Sequence, residues 1–333
     1  MLEKTFSRSV LAMDAQQELS TVIEFIQSAV QKQFKRKGVV VGLSGGLDSS
    51  VTAAASVMAL GRDRVVGLFL PEKESNPESL VYAENLAGIL GIETVKIDIT
   101  GNLESFHLYE ERDEVIRRLF PEFDETWRFH VTLPQNLLEK DRINVHYLTV
   151  MDPKGRQESK RLTAGQWHEI ASRQNIKQRV RMIQLYRMAD MLNYIVAGTT
   201  NRSETEQGFF VKFGDGGVDI EPISHLYKTQ VYELAKILEI PPEIIDRDPS
   251  PDTYSLPVSD REFYFCLDYE MLDLLLYAYS HGIPAERTAA ALGLTFDQVK
   301  RIFKDFTAKE NNTWHLRQMP LAAGENDAGS SLP

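Results

Sequence analysis

The stretch Val39-Val40-Val41-Gly42-Leu43-Ser44-Gly45-Gly46-Leu47-Asp48-Ser49-Ser50 decides the fold of this 333-residue chain. It opens with a wholly apolar run. Such a run, without polar alternation, suits a parallel strand buried on both faces. After the serine-glycine turn, Val51, Ala54, Ala55 and Met58 recur at helical spacing, and Gly61 is a natural helix stop. The unit is strand, glycine turn, helix. At such a junction the backbone N–H groups are unpaired and the helix dipole is positive, so an anion is favoured. The glycines permit close approach of the backbone, and Ser44, Ser49 and Ser50 add hydroxyl donors. The turn has neither the lysine of a Gly-x4-Gly-Lys-Ser/Thr loop nor a Gly-x-Gly-x-x-Gly pattern. Asp48 would repel a phosphate unless a cation lay between them, which points to Mg²⁺. The plainer alternative makes Asp48 a helix cap.

The same alternation continues on either side. A helix is predicted over about Asp14 to Phe34, before the first strand. Strands follow at Val65–Leu70, Thr94–Ile97 and Tyr194–Ala197, with helices at Pro77–Leu90, Asn175–Asn193 and Lys228–Leu238. Alternating β and α units imply an α/β fold with a doubly wound parallel sheet. This main domain is read as residues 1–260. An irregular, charged insertion at about 105–172 interrupts it. Within the insertion, Ile143–Met151, a turn at Asp152-Pro153-Lys154-Gly155 and Arg156–Thr163 read as a β-hairpin. Residues 261–320 read as a C-terminal helical segment. Its helix-Gly-helix pattern around Gly293 suits a packed helical hairpin better than a DNA reader. Residues 321–333 read as a disordered tail.

Composition narrows the class. The net charge of −11 disfavours nucleic acid and anionic membrane, whose phosphates repel such a surface. Cys266 is the only cysteine, so no internal disulfide or cysteine-rich zinc site can form. No apolar run is long enough to span a bilayer, and Met1–Ser20 has no signal-peptide core. A cytoplasmic protein is expected.

Four further segments carry a resemblance. They are Asn175-Ile176-Lys177-Gln178-Arg179-Val180-Arg181-Met182, Ala197-Gly198-Thr199-Thr200-Asn201-Arg202-Ser203-Glu204, Gly208 to Asp219, and Pro222 to Gln230. The loop Ser44-Gly45-Gly46-Leu47-Asp48-Ser49 resembles the Ser-Gly-Gly-x-Asp-Ser signature of the N-type ATP pyrophosphatases. With the four segments, in order and at matching spacing, the chain resembles NAD synthetases without a fused glutaminase domain. The resemblance covers roughly residues 20–100 and 173–320. It implies a ligase that adenylates the carboxylate of deamido-NAD with ATP, then lets ammonia displace AMP. It places Gly42, Leu43, Ser44, Gly45, Gly46, Leu47, Asp48, Ser49, Thr199, Lys228 and Ser250 on ATP. Asp48 and Glu204 fall on Mg²⁺. Arg179, Lys212, Asp219 and His315 fall on deamido-NAD. Asp48, Lys212 and Lys228 would carry the chemistry, by neutralising charge on the leaving pyrophosphate. A homodimer is implied as well.

The nitrogen source is read from absence. Cys266 sits in Phe263-Tyr264-Phe265-Cys266-Leu267, an apolar context unlike that of a glutaminase nucleophile. Free ammonia, or a separate glutaminase, is therefore expected. Two segments depart from the family pattern: Leu316 stands where a cation is common, and Pro249-Ser250-Pro251-Asp252-Thr253 is unusual. The open alternatives are an AMP-forming amide synthetase acting on another carboxylic acid, and a noncatalytic nucleotide-binding protein.

Overall fold

A computed structural model describes residues 6–139 and 144–321. The tail after Leu321 and the first hairpin residue, Ile143, lie outside the described residues. Helix α1 (Ala15–Ser28) leads in, and Asp14 caps it by accepting the N–H groups of Gln16 and Gln17. Then come β1 (Val39–Gly42), α2 (Leu47–Leu60), β2 (Val65–Phe69), α3 (Pro77–Leu90) and β3 (Glu93–Lys96). The next stretch holds α4 (Thr100–Ser105), α5 (Leu108–Leu119), β4 (Arg128–Thr132), β5 (Tyr147–Met151) and β6 (Gln157–Arg161). Helix α6 (Ala164–Leu192) returns the chain to β7 (Ile195–Ala197). After α7 (Arg202–Gln207), α8 (Lys228–Ile237) and α9 (Pro242–Ile245), the chain ends in α10 (Tyr269–Ser280), α11 (Ala285–Leu292) and α12 (Phe296–Thr313).

Strands β3-β2-β1-β7 form one parallel sheet, with Val39 paired to Val65 on one side and Ile195 on the other. Val39, Val40 and Val41 are completely buried, and alternate residues serve opposite faces. Val39 and Val41 join Val22 and Ile26 of α1, Val51 of α2 and Val231 of α8. Val40 joins Val66, and Val180 and Met188 of α6. Helices thus cover both faces, and the doubly wound sheet inferred from the alternation is what forms. The strand order reverses beside β1, the position where open α/β sheets bind ligands at their carboxyl edge.

The insertion is richer than its sequence suggested. The hairpin is present as β5 and β6, with Met151 opposite Gln157 across the turn. A third strand, β4, pairs antiparallel with β5 and was not foreseen. Neither was α5. Together they bury Val115, Ile116, Phe129, Val131, Leu148 and Val150 against Ile170 of α6. Helix α6 starts at Ala164, not Asn175, so the last part of the insertion is the first turns of a 29-residue helix. Its start is fixed by a capping box in which Thr163 and Gln166 bond reciprocally.

The C-terminal helices form their own core. Val299, Ile302 and Phe306 of α12 are fully buried against Leu272 and Leu275 of α10. The helix-Gly-helix pattern is a packed hairpin that bends at Gly293, where φ is +73°. Among the described residues no helix is long and apolar enough to cross a membrane.

Candidate active site

The carboxyl end of the parallel sheet opens into a crevice of about 580 Å³, within the usual range of ligand sites. Its floor is the glycine turn. Gly45 has φ +74°, and a Cβ there would stand 2.1 Å from the Ser79 carbonyl oxygen, so only glycine fits. The turn is braced from within. Ser44 Oγ accepts the Gly46 N–H at 3.2 Å, and Ser49 Oγ donates to the Gly46 carbonyl at 3.0 Å. Gly46 is the residue that opens α2, and no side chain caps that end. The helix N-terminus is left with its donors for an anion.

Asp48 is not a cap. One of its carboxylate oxygens receives Lys228 Nζ and the other receives Asn201 Nδ2 at 3.1 Å. Asn201 also caps α7, in a reciprocal pair with Glu204. The turn after β7 therefore brings Glu204 to the same place. Glu204 is pushed well above the usual carboxylate range, first by burial and then by Asp48, against the pull of Lys228. Lys228 is 2% exposed. Burial works against its charge, but Asp48, Glu204 and Asp260 prevail and hold its ammonium above the usual lysine range.

Two further acids, unforeseen from sequence, complete the cluster. Asp260 is buried and pushed up to about 6 by that burial, with Lys228 and the Tyr269 hydroxyl opposing. Tyr269 donates to its Oδ2 at 2.9 Å, while its Oδ1 has no partner among the described residues. Asp273 of α10 accepts the Thr229 N–H at 2.8 Å and the Ser203 hydroxyl at 2.6 Å. Ser203 Oγ in turn accepts the Lys228 N–H. Asp273 thus fixes the start of α8, and with it the lysine.

The residues predicted for ATP converge. Gly42, Leu43, Ser44, Gly46, Leu47, Asp48, Ser49, Thr199, Lys228 and Ser250 border this crevice, as does Glu204. Gly45 lies behind, against Ser79. Ser250 accepts the Asp252 N–H, and Asp252 accepts both the Asn76 N–H and the Ser79 hydroxyl, which anchors that wall to the start of α3. Arg181 and Arg247 also border the crevice. Their side chains are held by the Leu70 carbonyl and by Ser79 Oγ. Arg181 lies two residues after Arg179, on a different helical face and within the same segment Asn175–Met182.

The residues predicted for deamido-NAD lie elsewhere. Arg179, Lys212, Asp219 and His315 do not border the crevice, although Val211, beside Lys212, does. Arg179 Nε donates to the Lys212 carbonyl, and Lys212 Nζ donates to the carbonyls of His315 and Gln318 at 3.0 and 2.6 Å. These three form one rim cluster. Asp219 stands apart, accepting the Val196 N–H and the Tyr186 hydroxyl with separate oxygens.

The donor set suits a hard divalent cation. The carboxylates of Asp48, Glu204 and buried Asp260 face one lysine, and one Asp260 oxygen has no partner among the described residues. No group of three or more potential ligands is preassembled among the described residues. That matches an ion completed by phosphate oxygens more than a protein cage.

Comparison with known proteins identifies the family. The NAD synthase family model matches residues 18–120 and 130–320. An NH3-dependent NAD⁺ synthetase of Mesorhizobium japonicum is 42% identical over 316 residues, 95% of this chain and 99% of that protein. Two solved structures share the fold. NMN synthetase from Francisella tularensis has a TM-score of 0.65 at 22% identity, covering 94% of this chain and 99% of that one. NH3-dependent NAD synthetase from Campylobacter jejuni has a TM-score of 0.61 at 23% identity, covering 93% and 100%. The phosphate-ready turn, the carboxylate-lysine cluster and the full-length match together assign the chain to the NAD synthase family.

Proposed function

We propose that this chain is an ammonia-dependent NAD synthetase: it uses ATP to adenylate the carboxylate of deamido-NAD and then amidates it, giving NAD, AMP and pyrophosphate. The observation that carries this reading is the meeting of an uncapped helix N-terminus with Asp48, Glu204 and Lys228 in one crevice. That combination binds a polyphosphate and neutralises charge that develops on it.

The first step needs little side-chain chemistry. A carboxylate oxygen of the acid attacks the α-phosphorus, and the bond to the β-phosphate breaks. Negative charge builds on the departing pyrophosphate. The amides of the turn, the Ser44 hydroxyl and Lys228 are placed to stabilise it. Arg181 and Arg247 add charge along the crevice. In the second step ammonia attacks the acyl carbon, AMP leaves, and a proton is lost from nitrogen. Holding the acyl-adenylate in place supplies most of what that step requires.

Asp48 and Glu204 are the residues that would hold Mg²⁺. When bound, the ion would supply positive charge that offsets the negative charge of the phosphates. We extend the proposal to the deamido-NAD contacts at Arg179, Lys212, Asp219 and His315, to a homodimer, and to a cytoplasmic location. Sedimentation equilibrium tests the dimer.

The decisive assay supplies ATP, Mg²⁺, ammonium and deamido-NAD and identifies products by mass spectrometry. NAD, AMP and pyrophosphate in equal amounts are expected. ADP and orthophosphate would overturn the chemistry. AMP formed only with a different acid would overturn the substrate.

A further inference from the structure

Two segments wall the crevice beside the glycine turn, which packs Gly45 against Ser79. One is the loop after β2, where Pro71, Ser75 and Asn76 border the opening, and the other runs from Ser250 to Tyr254. Asp252 joins the two by accepting the Asn76 N–H and the Ser79 hydroxyl, with its own backbone at φ +45°. A residue other than glycine keeps that conformation only where its surroundings hold it.

Both walls lead back to Arg112, on α5 of the insertion. Arg112 is 3% exposed and is not among the residues that border the crevice. Its Nη1 donates to Glu74 Oε2 at 2.7 Å, and its Nη2 lies 2.7 Å from Asp113 Oδ1. Glu74 belongs to the first wall, and its N–H closes that turn by donating to Glu72 Oε2 at 2.9 Å. The guanidinium carbon of Arg112 also lies over the Phe129 ring of β4, 4.6 Å from its centre. Phe129 carries the second wall. Its ring meets Tyr254 edge-on at 5.6 Å, its N–H donates to Ser255 Oγ at 3.0 Å, and its carbonyl accepts the Leu256 N–H at 2.9 Å. One buried cation thus grips one wall by hydrogen bonds and the other through an aromatic ring. A guanidinium suits both tasks, because its donors form a fixed fork and its charge is attracted to a ring face.

We propose that Arg112 is a positioning residue for ATP: from the insertion it holds both walls of the crevice, so that the seat stands formed before the nucleotide arrives. This rests on the functional reading above and gives the insertion a part in nucleotide binding. A seat already held in place spares the nucleotide the cost of ordering it. Arg112 has no contact with the glycine turn or Lys228, so its loss should weaken binding and leave the chemical step alone.

Arg112→Gln removes the charge and the bridge. The KM for ATP should rise about fivefold, with kcat and the KM for deamido-NAD within about twofold of wild type. In the ligand-free variant, hydrogen exchange should quicken at residues 72–76 and 252–256 and slow again with saturating ATP and Mg²⁺. A lower melting temperature with the KM for ATP and the exchange of both walls unmoved would make Arg112 structural and overturn the inference. A fall confined to kcat, or a rise confined to the KM for deamido-NAD, would overturn it too. Should that variant fail to fold, Arg112→Lys keeps the buried charge without the fork that bridges Glu74 and Asp113, and is read in the same way. Wild-type protein that neither binds nor splits ATP overturns the functional reading and this inference together. Normal wild-type turnover with an unaffected variant overturns this inference alone.

Discussion

Two partly buried glutamates, Glu204 in the crevice and Glu74 beside the insertion, are pushed in opposite directions. Glu204 is raised, because burial and Asp48 outweigh Lys228. Glu74 is lowered, because Lys177 and Arg112 outweigh the effect of burial. Around Glu74 every charge is answered. Lys177, fully buried, donates to Glu72 at 2.7 Å, to Glu74 at 2.8 Å and to the Thr253 carbonyl at 2.9 Å. Arg112 bridges Glu74 and Asp113, and the Tyr109 hydroxyl donates to Glu72. This second network ties α5 and α6 to the loop after β2 and to the wall of the crevice. The difference separates a balanced network, which holds architecture, from an unbalanced one, the kind that concentrates at functional sites.

The contrast breaks most easily at Lys177. Lys177→Met leaves Glu72 and Glu74 buried with one cation between them. Removing one partner from such a network costs about 3–5 kcal/mol. Urea denaturation should show a loss of that size, with a modest rise in the KM for ATP because Thr253 loses its anchor. A loss below about 1 kcal/mol would mean the network does not support the fold. Asp48→Ala should do the reverse. Its stability should stay within about 1 kcal/mol of wild type, since Lys228 keeps two carboxylate neighbours. Pyrophosphate release should fall about 10²–10³-fold, equivalent to about 2.7–4 kcal/mol. Retention of most of the rate would remove Asp48 from the metal and phosphate site.

The same contrast explains what the sequence disclosed. Strands such as Val39–Gly42 are apolar on both faces, and an apolar run bounded by glycine needs no tertiary knowledge to read. Strand β4 alternates instead, with Phe129 and Val131 buried and Arg128 exposed. Five alternating residues without a turn signal are easily lost in a charged region. The first turns of α6 carry His168, Glu169 and Arg173, which masked a helix that its Thr163–Gln166 cap would have revealed. In the site, the glycine turn and Asp48 were legible locally. Glu204 and Lys228 became legible through an ordered set of motifs. Asp260 and Asp273 become recognisable only when distant elements pack, because a lone acid in sequence looks like any surface residue.

The insertion should also show itself in acid. His146, half-buried against Trp167, is held down at about 4, first by burial and then by His168. Between pH 6.5 and about 4 the unfolded chain binds a proton that the folded imidazole refuses. Stability from this group is therefore complete above pH 6.5 and is lost as pH falls through that window, by about 3 kcal/mol at most. His146→Phe keeps the stacked ring and removes the proton. Its stability should fall less steeply between pH 6 and 4 than that of wild type. Equal slopes would place the acid sensitivity elsewhere.

The smallest effect is expected at Lys212, where resemblance and geometry differ most in emphasis. As a catalytic lysine it should behave like Lys228. Yet Lys228 is buried among the carboxylates of Asp48, Glu204 and Asp260, whereas Lys212 gives its ammonium to two backbone carbonyls of the C-terminal turn. Arg317 ties that turn to α7 through the carbonyls of Thr205 and Glu206. A lysine used this way holds a rim in place, so its loss should act on binding before it acts on chemistry. Lys212→Ala is expected to lower kcat/KM for deamido-NAD about tenfold, equivalent to about 1.4 kcal/mol, mainly through KM. A hundredfold fall in kcat with KM unchanged would show the opposite. It would mean that the C-terminal turn releases Lys212 during turnover, and that the rim and the crevice act as one catalytic surface.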